Sequence, residues 1–220
     1  MRPGIRCTCA TAVAAGTLVL SAWAPATSLA GKALRLEVGE TPLVAAPILL
    51  SSSEVTISNA FWNLGCSEGS LSGSMEQNKS ANDYVVINQG AFAGGGNEGL
   101  CASAPEFVTY FEPVQTPELK LTTKGQAQLH FTRLRLVPKA DVGAPEEHAC
   151  IVSAITLKGT FPVSTTAQPL VLTFSSAKMK IEVQGPECGT GHGAKPVFFT
   201  GTFAVTSRGS IVEAVIYNPR

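Results

Sequence analysis

The sequence is poor in the residues that most catalytic sites use. It holds three histidines and two aspartates, Asp83 and Asp141, and charged residues make up 15% of the chain. A Ser-His-Asp triad would have to draw on this small set, and no spacing indicates one. Two carboxylates could still meet in space as in a glycoside hydrolase, but the spacing of the glutamates does not favour it. We therefore expect a protein without catalytic activity, with a secreted polysaccharide hydrolase as the alternative.

Helical periodicity is missing after residue 30. No window keeps apolar residues at helical spacing for three turns, and 21 glycines and 14 prolines interrupt the chain. Three short segments instead alternate apolar and polar residues, with Glu37 and Glu182 on the solvent side. Their apolar positions are Leu34, Leu36 and Val38; Leu170, Leu172 and Phe174; and Met179, Ile181 and Val183. This alternation predicts an all-β domain, an antiparallel β-sandwich or a barrel, and the sequence leaves both open.

The segment LHFTRLRL, residues 129–136, changes phase. Its apolar residues fall first on Leu129 and Phe131 and then on Leu134 and Leu136. Inward positions therefore switch from odd to even numbers, which predicts a bulge near Thr132 and Arg133.

Long apolar runs are also absent, except at the N-terminus. Arg2 and Arg6 precede the run TAVAAGTLVLSAWA, which a Ser28–Ala30 cleavage motif follows. We predict a secretory signal peptide in residues 1–30 and a secreted or cell-envelope domain in residues 31–220, with membrane contact only during export. Cleavage would leave 14 basic and 16 acidic residues, a net charge of −2. No basic field for nucleic acid remains.

Four cysteines follow the predicted cleavage site: Cys66, Cys101, Cys150 and Cys188. An even number in an exported chain predicts two disulfides, for which three connectivities are possible. We favour the sequential pairs, Cys66 with Cys101 and Cys150 with Cys188.

Two histidines lie close to the second predicted pair in sequence. His148 is two residues before Cys150, and His192 is four residues after Cys188. Two thiolates and two imidazoles would suit zinc or copper, so a metal-binding protein is a further hypothesis. A disulfide removes the thiolates, however, and the spacing departs from that of structural zinc sites. We expect no metal and no other cofactor.

A glycine-rich stretch, GGGNEG at residues 94–99, has the letters of a dinucleotide fingerprint. The residues after it, LCASAPEFVTYF, do not favour the helix that such a site needs. Aromatic residues are better candidates for ligand contact, since they stack on sugars and dock partners when exposed. The candidates are Trp62, Tyr84 and Tyr110.

The chain resembles secreted proteins of unknown activity from high-GC soil actinobacteria. The resemblance lies in the alanine-rich leader, in strands such as LTTKGQAQLHF and FFTGTFAVTS, and in GPECGTG near the last cysteine. It implies export but gives no residue a role. Our leading hypothesis is a non-catalytic secreted or cell-envelope protein that binds an unknown ligand or protein partner.

Overall fold

The computed structural model describes residues 31–77, 82–93, 100–101, 107–138, 141–143, 149–184 and 196–218. These residues confirm the all-β prediction. The predicted signal peptide and the GGGNEG stretch lie outside them. The strands are β1 (Ala33–Val38), β2 (Thr41–Pro42), β3 (Pro47–Ser52), β4 (Val55–Ser58), β5 (Asn63–Cys66), β6 (Glu68–Gln77), β7 (Asn82–Ala93), β8 (Leu100–Cys101), β9 (Phe107–Phe111), β10 (Glu118–Thr122), β11 (Gln126–Pro138), β12 (Cys150–Thr160), β13 (Gln168–Pro169), β14 (Val171–Gln184), β15 (Val197–Ser207), β16 (Ser210–Ile211) and β17 (Glu213–Tyr217).

Eight strand positions close into an antiparallel barrel. The neighbours run β10, β11, β12, β14, β15, β3, β6 and β7, and β7 pairs again with β10. This closing pair extends from Glu118 opposite Val86 to Thr122 opposite Asn82. A closed ring leaves no free sheet edge, so the backbone groups are satisfied between strands. Of the two architectures that the sequence left open, the chain adopts the barrel.

Two barrel positions are each filled by a pair of shorter strands. β3 and β4 both lie along β15. On their other side β3 pairs with β6 and β4 pairs with β5, and these two pairings share one continuous register. β9 and β10 share the position between β7 and β11. Phe111 lies opposite Leu134 and Glu118 opposite His130, so the six residues 112–117 face only three residues of β11. The surplus residues form a loop, here called the 112–117 loop.

Aromatic side chains fill the barrel. Phe92, Phe174, Phe199 and Phe203 are at most 2% exposed, and their rings lie 5.8 to 6.3 Å apart. A Cβ atom on the inward Gly201 would lie 3.0 Å from the ring of Phe203, so the glycine makes room for the rings. An eight-stranded barrel has about enough interior space for its own side chains. The described residues thus enclose a packed core.

A small sheet of β13, β17, β1 and β2 packs at one end of the barrel. It forms where β12 ends and β14 begins, and its residues Leu34 and Leu36 belong to the barrel core. Glu37 corrects the sequence prediction, because it is 2% exposed and not on a solvent face. Its carboxylate forms a 2.6 Å ion pair with Arg35, whose guanidinium lies 5.5 Å from the ring centre of Tyr217. Burial of this carboxylate is possible because the cation accompanies it.

The phase change in β11 exists, but it lies earlier than predicted. Phe131 has a φ of +57° and points outward, whereas Thr132 is 2% exposed and points inward. The neighbouring β12 changes phase at the same level, because Ile155 is 73% exposed between the buried Ala154 and Leu157. Both strands bend together, so their pairing keeps its register. The predicted switch from odd to even inward positions is confirmed, whereas the assignment of Phe131 to the core was wrong because it rested on hydrophobicity alone.

A disulfide joins Cys66 of β5 to Cys101 of β8, with the two Cα atoms 4.4 Å apart. This confirms the first predicted pair. Thr109 donates a 3.3 Å hydrogen bond to the Cys101 sulfur, and both cysteines are at most 1% exposed. Cys150 is also disulfide-bonded. Its predicted partner, Cys188, lies outside the described residues.

Replacing Phe199 by alanine should lower the free energy of unfolding by about 3–5 kcal/mol, because it opens a cavity among the packed rings. Urea unfolding followed by tryptophan fluorescence measures the change. The matched control is Phe198→Ala on the same strand, where the ring is outward and only partly buried. We expect that variant to lose about 1 kcal/mol. Equal losses in the two variants would contradict a core centred on Phe199.

Replacing both Cys66 and Cys101 by alanine should lower the free energy of unfolding by about 3–4 kcal/mol. The bond closes a loop with a sequence separation of 35 residues, and the chain-entropy relation gives this magnitude. The comparison uses urea unfolding of the double variant and the parent under the same non-reducing conditions. A loss below about 1 kcal/mol would show that the bond does not restrain the unfolded chain as argued.

Candidate functional site

The predicted metal residues do not contribute to the described structure. His148, His192 and Cys188 lie outside it, so the metal hypothesis stays a prediction. Within the ranges that the structure describes, no group of three or more histidine, cysteine, aspartate or glutamate residues is placed to hold a metal ion. The side chain of Tyr84 is also outside the description, although its backbone pairs with Lys120.

Trp62 lies in the turn between β4 and β5, where it packs partly buried against the core. Its ring centroid is 6.2 Å from that of Phe107. The Asn59 side-chain oxygen accepts hydrogen bonds from the backbone N–H groups of Phe61 and Trp62, at 2.8 and 3.0 Å, and so fixes the turn. Phe61 is the exposed aromatic residue here, at 48%. This position of Trp62 fits a packing role.

The most site-like feature is a groove of about 290 Å³ on the outer barrel wall, here called the outer groove. It crosses β11, β12 and β14 beside the 112–117 loop. Its lining combines apolar and charged side chains. A second depression of similar volume is lined mainly by glutamine, threonine and serine side chains, with Lys158 as its charged residue. The side chains that define it are Val114, Phe131, Arg133, Ser153, Ile155 and Glu182.

Two backbone features create the outer groove. The surplus residues of the 112–117 loop raise Val114 on one side, where it is 78% exposed. The paired bends in β11 and β12 turn Phe131 and Ile155 to the outside. In a regularly alternating strand, one of every two consecutive residues would point inside. Three apolar side chains from three chain segments consequently meet on a surface otherwise occupied by polar residues.

A row of ion pairs forms the polar side of the outer groove. Nε of Arg133 lies 3.3 Å from Glu182 and its Nη1 lies 3.8 Å from Glu112. Arg135 binds the same Glu112 carboxylate through Nε and Nη2, at 3.0 and 2.8 Å. Two guanidinium groups thus share one carboxylate, which fixes both arginine side chains.

Tyr110 lies at the end of this row. It pairs with Arg135 across β9 and β11, and the guanidinium lies 4.5 Å from the centre of its ring. The ring also packs against the buried Val137 and Ile151. Tyr110, a predicted binding residue, is therefore half-buried and supports Arg135, and its ligand-binding role stays a prediction.

Glu182 has the one titration shift resolved for the described groups. The Ser153 hydroxyl donates a 2.5 Å hydrogen bond to its Oε1, and Arg133 and Lys180 lie near its carboxylate. The Ser153 hydrogen bond, followed by Arg133 and Lys180, outweighs burial and lowers the pKa of Glu182 below its ordinary value of 4.5. The carboxylate is therefore ionised near neutral pH, where Ser153, Arg133 and Lys180 are its partners.

This chemistry suits binding better than acid-base catalysis. A glycosidase acid needs a raised pKa, whereas that of Glu182 is lowered. Ser153 bonds to a carboxylate that is a weak base, so nothing activates its hydroxyl as a nucleophile. The described histidine, His130, lies outside the groove lining, and its Nδ1 is 3.0 Å from the Thr156 hydroxyl. The outer groove presents fixed charges beside apolar surface.

Comparisons with known proteins give no family. No family model matches the chain, and no curated protein or solved structure matches it. A search of the described residues also found no helix with the length and apolar character to cross a membrane.

Sequence analysis missed the apolar side of the outer groove. Ile155 was not singled out in the sequence, and Phe131 was assigned inward. Val114 lies in the 112–117 loop, whose surplus length becomes visible only from the pairing of β9 and β10 with β11. The break in alternation at residues 129–136 was the one available signal, and it marked the right region.

Removing the charge of Glu182 with Glu182→Gln should cost up to about 1 kcal/mol of the free energy of unfolding at pH 7. Because the folded-state pKa is lowered, the stabilisation is present above pH 4.5 and is lost as the pH falls below that value. Urea unfolding of parent and variant at pH 7, 5 and 3.5 tests this. The control, Glu118→Gln, removes an exposed carboxylate from β10. A difference for Glu182→Gln that persists unchanged at pH 3.5 would contradict the assignment.

Proposed function

We propose that this protein is a non-catalytic binding protein of the extracellular space or cell envelope, and that its outer groove docks a polypeptide partner. One observation carries the proposal: Val114, Phe131 and Ile155 converge outside the barrel next to an ordered row of ion pairs. Val114 and Ile155 are 78% and 73% exposed, so a partner would remove a large apolar area from water. Interfaces commonly combine an apolar centre with a polar rim.

The closed barrel supports this location. Because aromatic rings fill the described interior, we expect a ligand to bind on the outer surface of the barrel. The outer groove is rigid on its charged side, because Arg133 and Arg135 are held by shared carboxylates. A preorganised surface loses less side-chain entropy on binding.

The extracytoplasmic location rests on two observations. The Cys66–Cys101 disulfide fits an oxidising compartment, and the sequence predicts a signal peptide in residues 1–30. Both are consistent with a partner on the cell surface or in the medium.

Photo-crosslinking from the outer groove tests the proposal. A benzophenone amino acid replaces Ile155, and the protein is irradiated with cell envelopes and spent medium of the producing organism. We expect a discrete adduct from this position that an excess of unlabelled parent protein suppresses. Val114→Asp in the same chain should reduce the adduct severalfold, because it places a charge in the apolar contact.

The control probe replaces Ile211, which is 60% exposed on β16. Adducts from this position measure nonspecific hydrophobic adsorption to the protein surface. The same adducts from residues 155 and 211, or an adduct at 155 that neither competitor nor Val114→Asp reduces, would refute docking at the outer groove. Mass spectrometry of the adduct identifies whether the partner is a polypeptide.

A further inference from the structure

We infer that the partner segment in the outer groove is an acidic, extended polypeptide in which apolar side chains separate carboxylates. This inference rests on the proposed function and adds the chemistry of the ligand. Its basis is the distribution of charge around the barrel and the position of Ile155 between two rows of cations.

Charge is divided between the two halves of the barrel. The consecutive strands β10, β11, β12 and β14 carry six basic and two acidic residues, a net charge of +4. The ring is completed by β15, β3 with β4, β5 with β6, and β7. These strands carry no basic residue and three acidic ones, a net charge of −3. A chain whose predicted mature form has a net charge of −2 thus concentrates its cations on the wall that holds the outer groove.

Four of the six cations of this wall form two rows. Lys120 and Lys158 lie on either side of Gln128, and Arg133 and Lys180 lie on either side of Ser153. Lys120 and Lys158 are exposed, and within the described ranges neither has a carboxylate at ion-pair distance. This first row is therefore available to an external anion. The second row is partly neutralised by Glu182, which faces both cations, and by Glu112, which faces Arg133.

Ile155 lies between the rows on β12. It is three residues from Lys158 and two from Ser153, which correspond to about 10 and 7 Å along a strand. An extended ligand crossing this wall would meet a cation, then the apolar patch of Ile155, Phe131 and Val114, then a second cation. A peptide that carries a glutamate or aspartate two or three residues before and after an apolar residue fits this order.

The apolar patch distinguishes a polypeptide from other anions. A polyanionic glycan would bind the lysines but would leave Val114 and Ile155 exposed to water. An anionic lipid surface would need cations spread over a flat area, whereas Arg133 and Lys180 line a groove beside the 112–117 loop. An acidic peptide with apolar side chains would pair with the cations and also cover the apolar patch.

The test selects peptides on the whole folded protein. A phage-displayed library of random 12-residue peptides is selected on the parent protein, and peptides that also bind the Ile155→Asp variant are removed. We expect the enriched peptides to carry net negative charge and at least one apolar residue between acidic ones. The affinity of the leading peptide, measured by fluorescence anisotropy, should fall severalfold between 50 and 200 mM NaCl.

Charge reversal localises the effect. The double variant Lys120→Glu and Lys158→Glu should weaken the leading peptide about five- to tenfold, since it replaces two attractions by repulsions. The matched control, Lys32→Glu with Arg208→Glu, changes the net charge equally at exposed positions outside the four strands. It should change the affinity less than about twofold.

The outcomes separate the two proposals. Neutral or basic peptides that bind the outer groove, insensitive to Lys120→Glu with Lys158→Glu, would overturn the acidic partner while docking stands. Lysine-dependent binding to vesicles with 30% anionic lipid, without peptide enrichment, would also overturn it in favour of a membrane surface. If no peptide is enriched and the probe at residue 155 gives no adduct, both proposals fail.

Discussion

The packed phenylalanine rings inside the barrel are the constraint on which the rest of the structure depends. Phe174, Phe199 and Phe203 occupy the space that eight strands enclose, and the inward Gly201 leaves room for them. Strand closure is favourable because it buries these rings and leaves the ring without a free sheet edge. The same packing occupies the interior with the chain's own side chains. The binding role that we propose is therefore assigned to the outer wall.

The outer groove results from two departures from an ideal barrel. A regular antiparallel strand sends alternate side chains to opposite faces, so an apolar outer patch does not arise from alternation alone. Here the bends at Phe131 and Ile155 shift the phase of two neighbouring strands together, and the broken strand position of β9 and β10 adds the 112–117 loop. Because the bends are paired, the hydrogen-bond register survives and the core continues on both sides of them.

Much of the fold could be predicted from alternation and cysteine count. Leu170, Leu172 and Phe174 lie inward as expected, since short periodic strands record which face is buried. Barrel closure was not predictable, because it depends on pairing between β7 and β10 and leaves no local pattern. The buried Glu37 was missed for a similar reason: its partner Arg35 and the surrounding sheet decide its burial. Of the outer groove, sequence marked only the region of the phase change.

The geometry of Phe131 supports the proposal that the outer groove is a binding surface. A bulky residue with positive φ costs about 1–2 kcal/mol, and glycine or asparagine would adopt this conformation at lower cost. The core does not need the side chain, since Leu129 and Thr132 fill the inward positions on either side. The chain thus keeps a strained backbone and partly exposed aromatic surface together, opposite the exposed Ile155. Strain of this kind is commonly retained where a surface is used, and here it lies on the wall that also concentrates the cations.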